Sequence, residues 1–443
     1  MSRPGAADTA AGSRLRFVWM LAARAGTLVM GVVASVVVAR ALPPEGRGTY
    51  YMAVAVGTAA MALGHLSVEQ AQTALWSDER RRPSLEANCV PLGLFVGAGA
   101  ALAALVVAGA FQGRGNIPDL WLLAIACAGV PLGVGVLYAS NIAALRDRPQ
   151  VAGLSALASA AVQCACLVAL GLAGRLTVTG VVIVWAVSSA VSLVVLIGAG
   201  GVTIGRPRLR FARATCGKGL RLHAGSAASY LLLRSDVFLL NALAGPREVG
   251  IYTLAVTLAE LSRIAVDVFA QVTLVRQFGR DMGESAAVAA RTVRLMVLLG
   301  SVSALATVVA VSVLITPVYG PAYAEAATLV AWLVPGILLL SAGRPVATFL
   351  LRFRSPWFVV LPSLTALGVN IGLNTVLIPA WGGVGCAVAS TAAYTALVAV
   401  QMTSFVRMTG TPWRQLLPTG SDTSQITGRL RRRPKELGMG RAQ

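Results

Sequence analysis

The sequence predicts an all-α polytopic membrane protein: twelve transmembrane helices, arranged as two parallel-repeat six-helix bundles around a central cavity. Three observations predict it. The 443 residues are 56% hydrophobic and only 12% charged, against about 25% charged in a soluble chain. Apolar runs of roughly 20 residues, enough to cross a hydrocarbon core of about 30 Å, recur from Phe17 to Phe405. A residue pattern also returns at an offset of 202 positions, which marks an internal duplication.

The expected spans are 17–41, 50–75, 88–110, 120–145, 151–173, 180–202, 220–243, 250–275, 295–319, 327–351, 357–379 and 383–405. Residues 1–16 form a cytoplasmic N-terminal segment, 17–202 the first bundle and 203–219 a cytoplasmic linker. Residues 220–405 form the second bundle and 406–443 a basic tail expected to be disordered. With the N-terminus in the cytoplasm, 28 of the 37 Lys and Arg residues fall on the cytoplasmic side and five on the outer side. That bias is the positive-inside pattern and puts both termini in the cytoplasm. The net charge of +20 is therefore mostly topology, and no nucleic-acid partner is expected. In the tail, Arg429, Arg431, Arg432, Arg433 and Lys435 are placed to attract anionic membrane lipids.

The repeat aligns ALPPEGRGTYYMAVAV (41–56) with ALAGPREVGIYTLAVTL (242–258), Gly48 falling on Gly250. The basic loops LRDRP (145–149) and LRFRSP (351–356), and Gly180-Val181 against Gly383-Val384, extend it. At this offset His65 falls on Asp267 and Glu69 on Gln271, so each half sets polar residues four apart in its second helix. Residues four apart share a helix face.

These positions supply the candidate substrate-binding residues. On a continuous helix Glu260, Arg263, Asp267 and Gln271, spaced three, four and four apart, form one stripe. An ionised group at bilayer depth costs about 2.5–3.5 kcal/mol, so the stripe is expected to face protein or water. Two readings stand: a wet face at a cavity, or Arg263 neutralising Glu260 and Asp267 inside a packed bundle. Arg234 and Asp236 lie in the seventh span about 200° apart around the helix. Arg24 and Arg344 sit seven residues from their cytoplasmic ends, within reach of a cavity or of snorkelling. Asn370 and Asn374 share a face and suit interhelical hydrogen bonding as well as ligand binding.

Other chemistries find little support. The six cysteines and two histidines make no metal-ligand spacing. The stretch Cys216-Gly217-Lys218-Gly219 lacks the spacing and Ser/Thr of a phosphate-binding loop. No cofactor is expected, and the chain is not read as an enzyme.

Three stretches then carry a resemblance. VVVARALPPEGRGTYYMAVAV, LLLRSDVFLLNALAGPREVGIYTLAV and VNIGLNTVLIPAWGGVGCAVASTAAY resemble, in order, patterns of the polysaccharide-biosynthesis flippases of the O-antigen flippase type. These belong to the multidrug/oligosaccharidyl-lipid/polysaccharide (MOP) exporter superfamily. The resemblance covers residues 15–406 and implies the fold of the superfamily's multidrug exporters (MATE-like). It further implies a bacterial plasma-membrane protein that translocates a polyprenyl-pyrophosphate-linked oligosaccharide by alternating access. Glycosyltransferases and a polymerase of the same pathway would be partners. Four arginines within spans match an anionic head group, because the guanidinium fork bonds phosphate bidentately. The alternative is a multidrug or cation antiporter of the same superfamily, which Glu69, Asp236, Glu260 and Asp267 keep open.

Overall fold

Lipid offers no hydrogen-bond partner to the backbone, so apolar runs of this length fold as helices. A computed structural model describes residues 6–113, 116–203, 205–264, 266, 281–355 and 357–418. Its helices are α1 Ala6–Ala41, α2 Pro44–Gly64, α3 Val68–Leu75, α4 Arg82–Ala110, α5 Leu120–Ala128, α6 Val130–Leu145 and α7 Pro149–Leu172. They continue as α8 Val178–Gly198, α9 Leu209–Ala244, α10 Pro246–Leu261, α11 Met282–Tyr319, α12 Ala326–Phe353 and α13 Trp357–Thr409. No strand occurs among the described residues.

Ten helices among the described residues are long and apolar enough to cross a membrane. The second span is α2 with α3, and the fourth is α5 with α6. The last apolar helix holds the eleventh and twelfth predicted spans, bent at Gly382 (φ 54°, ψ −131°). The eighth predicted span begins in α10 and runs into residues outside the described ones. The count is thus consistent with twelve, in an all-α membrane fold.

The chain forms two compact units. One comprises Met1–Leu254, Ile315–Ala324 and Ile378–Gly383, the other Ala255–Leu314, Glu325–Leu377 and Val384–Gln443. In the first unit, α4 and α6 meet through small residues. A methyl on Gly93 would lie 2.6 Å from Gly135 Cα, and one on Gly97 2.5 Å from Pro131 Cα. Such contacts let membrane helices pack backbone to backbone, where apolar burial alone gives no drive. Phe95, Leu102 and Val106 of α4 are exposed and meet acyl chains at no cost.

Two reciprocal asparagine bonds pin α9 to this unit. Asn88 Nδ2 donates to the Arg208 carbonyl (3.1 Å) and accepts at Oδ1 from Arg208 N–H (2.7 Å). At the far end, Asn116 Nδ2 donates to the Asn241 carbonyl (3.0 Å) and Asn241 Nδ2 to the Asn116 carbonyl (2.7 Å). The Asn88 anchor explains why residues 209–219, expected in the linker, are already helical in α9.

In the second unit, Phe349 packs on Phe353 and Phe405 with ring centroids 4.9 and 5.0 Å apart. The chain continues past Phe405 as helix to Thr409, then makes a short 3₁₀ turn, Trp413–Leu416. Leu416 is buried, and Arg294 donates to the Gln415 carbonyl at 2.6 Å. Residues 419–443, which hold the basic cluster of the tail, lie outside the described residues.

Candidate functional site

The first unit holds an apolar groove of about 530 Å³ walled by α2, α4 and α9. Met52, Val56, Leu63, Val107 and Phe111 line it, with Tyr230 and Phe238 from α9. Among the described residues that line it, Arg234 is the single charged one. Its Nη1 donates to the Tyr51 hydroxyl at 3.3 Å. The groove thus joins a long oily wall to one cation.

Asp236, two residues on, turns away from this groove. It is 3% exposed, accepts from its neighbour Val237 N–H (2.8 Å) and takes the Tyr252 hydroxyl of α10 at 2.5 Å. Two residues along a helix are about 200° apart, so one side chain faces the groove and the other the α9–α10 packing.

His65 and Glu69 straddle a break in the second span. Leu66 and Ser67 both have positive φ (52° and 48°) without being glycine, a conformation costing about 1–2 kcal/mol per residue. Surrounding groups compensate. The His65 carbonyl accepts from the Tyr138 hydroxyl, and the Leu63 carbonyl from His223 Nε2 at 2.9 Å. Gly219 of α9 sits directly on the break, where a Cβ would overlap the Leu66 carbonyl. Gly219→Ala is therefore expected to destabilise the fold by about 1–3 kcal/mol, as overpacking does; thermal unfolding in detergent reads it, and an unchanged midpoint would refute it.

At this break His65 Nδ1 lies 3.1 Å from Glu69 Oε2 and its ring meets that of His223 at 5.1 Å between centroids. Asn141 Nδ2 bridges the Glu69 carbonyl (2.9 Å) and Gln72 Oε1 (3.0 Å). His223 was not among the expected site residues. The signal for it was available: both histidines of the chain stand beside apolar spans.

A second missed residue is Arg47, counted by its sequence position as an outer residue. It is 2% exposed in α2 and directs Nη1 and Nη2 to the Ser35 carbonyl and hydroxyl, each at 3.3 Å. Beside it Gly48 and Gly250 meet face to face. A Cβ on Gly48 would overlap the Pro246 carbonyl, and one on Gly250 the Pro44 carbonyl. Tyr323 closes the same region by donating to the Leu42 carbonyl at 2.9 Å.

The remaining expected residues are dispersed. Arg24 is exposed on α1. In the second unit, Glu260, Arg263 and Arg344 are half-buried. Regular α10 ends at Leu261, and Ser262 and Arg263 make a turn with bonds to Ala259 and Glu260 carbonyls. Asp267 and Gln271 lie outside the described residues. Asn370 and Asn374 are fully buried and hydrogen-bond each other (3.0 Å), and Asn370 donates to Ser390 Oγ at 3.4 Å. The first bond lies within one helix, and the second crosses the bend at Gly382.

Solved structures share this fold. An inward-facing multidrug resistance MATE transporter of the MOP superfamily superposes with a TM-score of 0.68 at 14% identity, over 87% of this chain and 94% of that one. The lipid II flippase MurJ in an inward closed conformation gives 0.69 at 12% identity, over 90% and 89%. A MOP superfamily transporter from Pyrococcus furiosus, described by the reverse polarity of its binding pocket, gives 0.63 at 14%, over 89% and 94%. No curated protein matches in sequence. The family model "Polysaccharide biosynthesis protein" matches residues 16–275, more than half of the sequence and the whole of the region that holds the groove, the helix break and the paired glycines. The chain belongs to the polysaccharide biosynthesis protein family, with the fold of the MOP superfamily.

Proposed function

We propose that the chain is a flippase that moves a polyprenyl-pyrophosphate-linked oligosaccharide from the cytoplasmic to the outer leaflet of a bacterial plasma membrane, for cell-surface polysaccharide synthesis. The observation that carries this reading is the groove: an apolar space of about 530 Å³ in which Arg234 is the single charged residue among the described residues that line it. A polyprenyl lipid has the complementary form, a long hydrocarbon joined to an anionic head. Arginine pairs with phosphate oxygens bidentately, and desolvation strengthens the pair. Arg24, Arg263 and Arg344 are further candidate donors, and His65, Glu69, Glu260, Asp267 and Gln271 are candidate partners for sugar hydroxyls or coupling ions, whereas the buried Asp236, Asn370 and Asn374 are bonded within the protein. Outward movement of each negative charge gains about 2.3 kcal/mol per 100 mV of inside-negative potential, a drive that permits export without ATP. Both termini face the cytoplasm, where the pathway's glycosyltransferases would deliver cargo, and a polymerase would receive it outside.

The test is reconstitution with a fluorescent polyprenyl-pyrophosphate oligosaccharide. Movement across the bilayer above protein-free vesicles is expected, and its absence overturns the reading. Arg234→Ala is expected to slow flipping about 10- to 100-fold, the worth of a charge-assisted bond, and Arg234→Lys less. Wild-type flipping in Arg234→Ala would remove that residue from the site. The second reading, a multidrug or cation antiporter, draws on the fold likeness to MATE transporters. A cationic cargo calls for acid at the groove, where Arg234 stands instead. Resistance to cationic drugs on expression, with envelope polysaccharide unchanged, would favour the antiporter.

A further inference from the structure

We infer that His65 and Glu69 form a proton-binding site, and that the seat of its proton sets the backbone bonding at the break between α2 and α3. The argument starts from one ring nitrogen with two partners. Ser67 N–H points at His65 Nδ1 at 3.0 Å, and Glu69 Oε2 lies 3.1 Å from the same atom. Imidazole Nδ1 either offers its one lone pair as an acceptor or carries a hydrogen and donates. While it is bare it accepts from Ser67, and Glu69, as a carboxylic acid, can only share that lone pair with the Ser67 amide. When the ring takes that proton, Nδ1–H points to the Glu69 carboxylate and Ser67 N–H loses its acceptor. One proton thus has two seats, and each seat implies a different hydrogen bond at the strained Leu66–Ser67 turn.

His223 extends the device. Its Nε2–H donates to the Leu63 carbonyl at 2.9 Å, which leaves Nδ1 to accept from Ser67 Oγ at 3.1 Å. Ser67 therefore bonds His65 through its amide and His223 through its hydroxyl. The two rings stand T-shaped, 5.1 Å apart. The ionisable groups around the pair are few. Tyr138 of α6 donates to the His65 carbonyl, and Cys216 of α9 lies within electrostatic reach of that tyrosine. Lys218 and Arg221, also on α9, are exposed. Glu69 is 18% exposed at its side chain, so the carboxyl is not sealed inside the packing.

The break is mechanically placed. Leu63, which takes the His223 bond, and Gly64 both line the apolar groove. Protonation at the break therefore alters the helix segment that walls the groove. This inference concerns the chain itself and stands whatever the cargo is.

Because the chain has two histidines, tag-free protein labelled with ¹⁵N-histidine and ¹³C-glutamate in lipid nanodiscs resolves the pair directly. The His65 ¹⁵N and Glu69 carboxyl ¹³C signals are expected to change together over one pH interval. In Glu69→Gln the His65 transition should move to a different interval. In parallel, the amide protection of Ser67, corrected for intrinsic exchange chemistry, is expected to fall about tenfold as the ring protonates, the loss of one hydrogen bond. Separate transitions of His65 and Glu69 in the wild-type protein, or Ser67 protection independent of pH, would overturn the proposal. The wild-type titration decides this even if Glu69→Gln does not fold. Flipping assays do not enter, so a failed flippase reading and a failed proton site are told apart.

Discussion

Gly48→Ala is expected to abolish transport while the protein still inserts in the membrane, and Gly250→Ala is expected to do the same. Each added methyl would land on a backbone carbonyl, that of Pro246 or of Pro44. A backbone has no rotamer with which to give way, and overpacking of this kind costs about 1–3 kcal/mol. The arrangement in which α2 and α10 touch would lose roughly tenfold of its population for each 1.4 kcal/mol. A transporter that cycles through this contact is held out of it. Val249, fully buried beside Gly250, gives the readout: in a cysteine-free background, Val249→Cys should react slowly with a maleimide, and faster once Gly48→Ala is added. Wild-type transport together with slow labelling in both alanine variants would show that the contact is dispensable. The double variant should cost little more than either single one, because both methyls spoil the same contact.

The largest loss of stability is expected from Asp236→Ala. This carboxylate is 3% exposed and its bond to the fully buried Tyr252 hydroxyl ties α9 to α10. Removing it takes from the buried hydroxyl the acceptor that joins it to α9, and loss of such a buried bond costs about 1–3 kcal/mol, more where a charge is involved. Asp236→Asn keeps an acceptor and should cost less. Tyr252→Phe deletes the hydroxyl that loses this acceptor, so the double variant Asp236→Ala/Tyr252→Phe should recover part of the loss. Thermal unfolding of the four proteins in one detergent measures this. An Asp236→Ala protein that unfolds with the wild type would place the carboxylate outside the structural core. A transport defect without a stability defect would instead return it to cargo contact.

The apolar runs made the membrane helices legible, because the bilayer forces a single solution on each of them. The repeat was legible too, and it named Gly48 and Gly250 as equivalents before they were seen to touch. The two opposite directions of Arg234 and Asp236 followed from helix geometry alone. The break at Leu66–Ser67 was only weakly marked, by Gly64 at the end of α2. Neither glycine nor proline stands at the two positive-φ positions, and the turn exists because Tyr138 and His223, distant in sequence, donate to the carbonyls beside it and Gly219 leaves room for it. The i,i+4 rule paired His65 with Glu69 on an unbroken helix, and the side chains meet across a broken one. Arg47 shows the same limit: its charge suggested a loop, and its partner Ser35 lies on another helix. Where α9 starts was hidden for a similar reason, since Asn88 fixes it from outside the segment.

The contact of Gly48 with Pro246 and of Gly250 with Pro44 exchanges the same two residue types in both directions. Reciprocal pairing of this kind defines an isologous interface, in which one patch recognises its own copy about a two-fold axis. It is the imprint expected if the ancestral half-length chain worked as a dimer that touched itself at this point. Fusion of the two copies freed each half to diverge elsewhere, and the composition of their polar positions did so. At the glycines it did not free them, because any side chain gained by one half is paid by the backbone of the other.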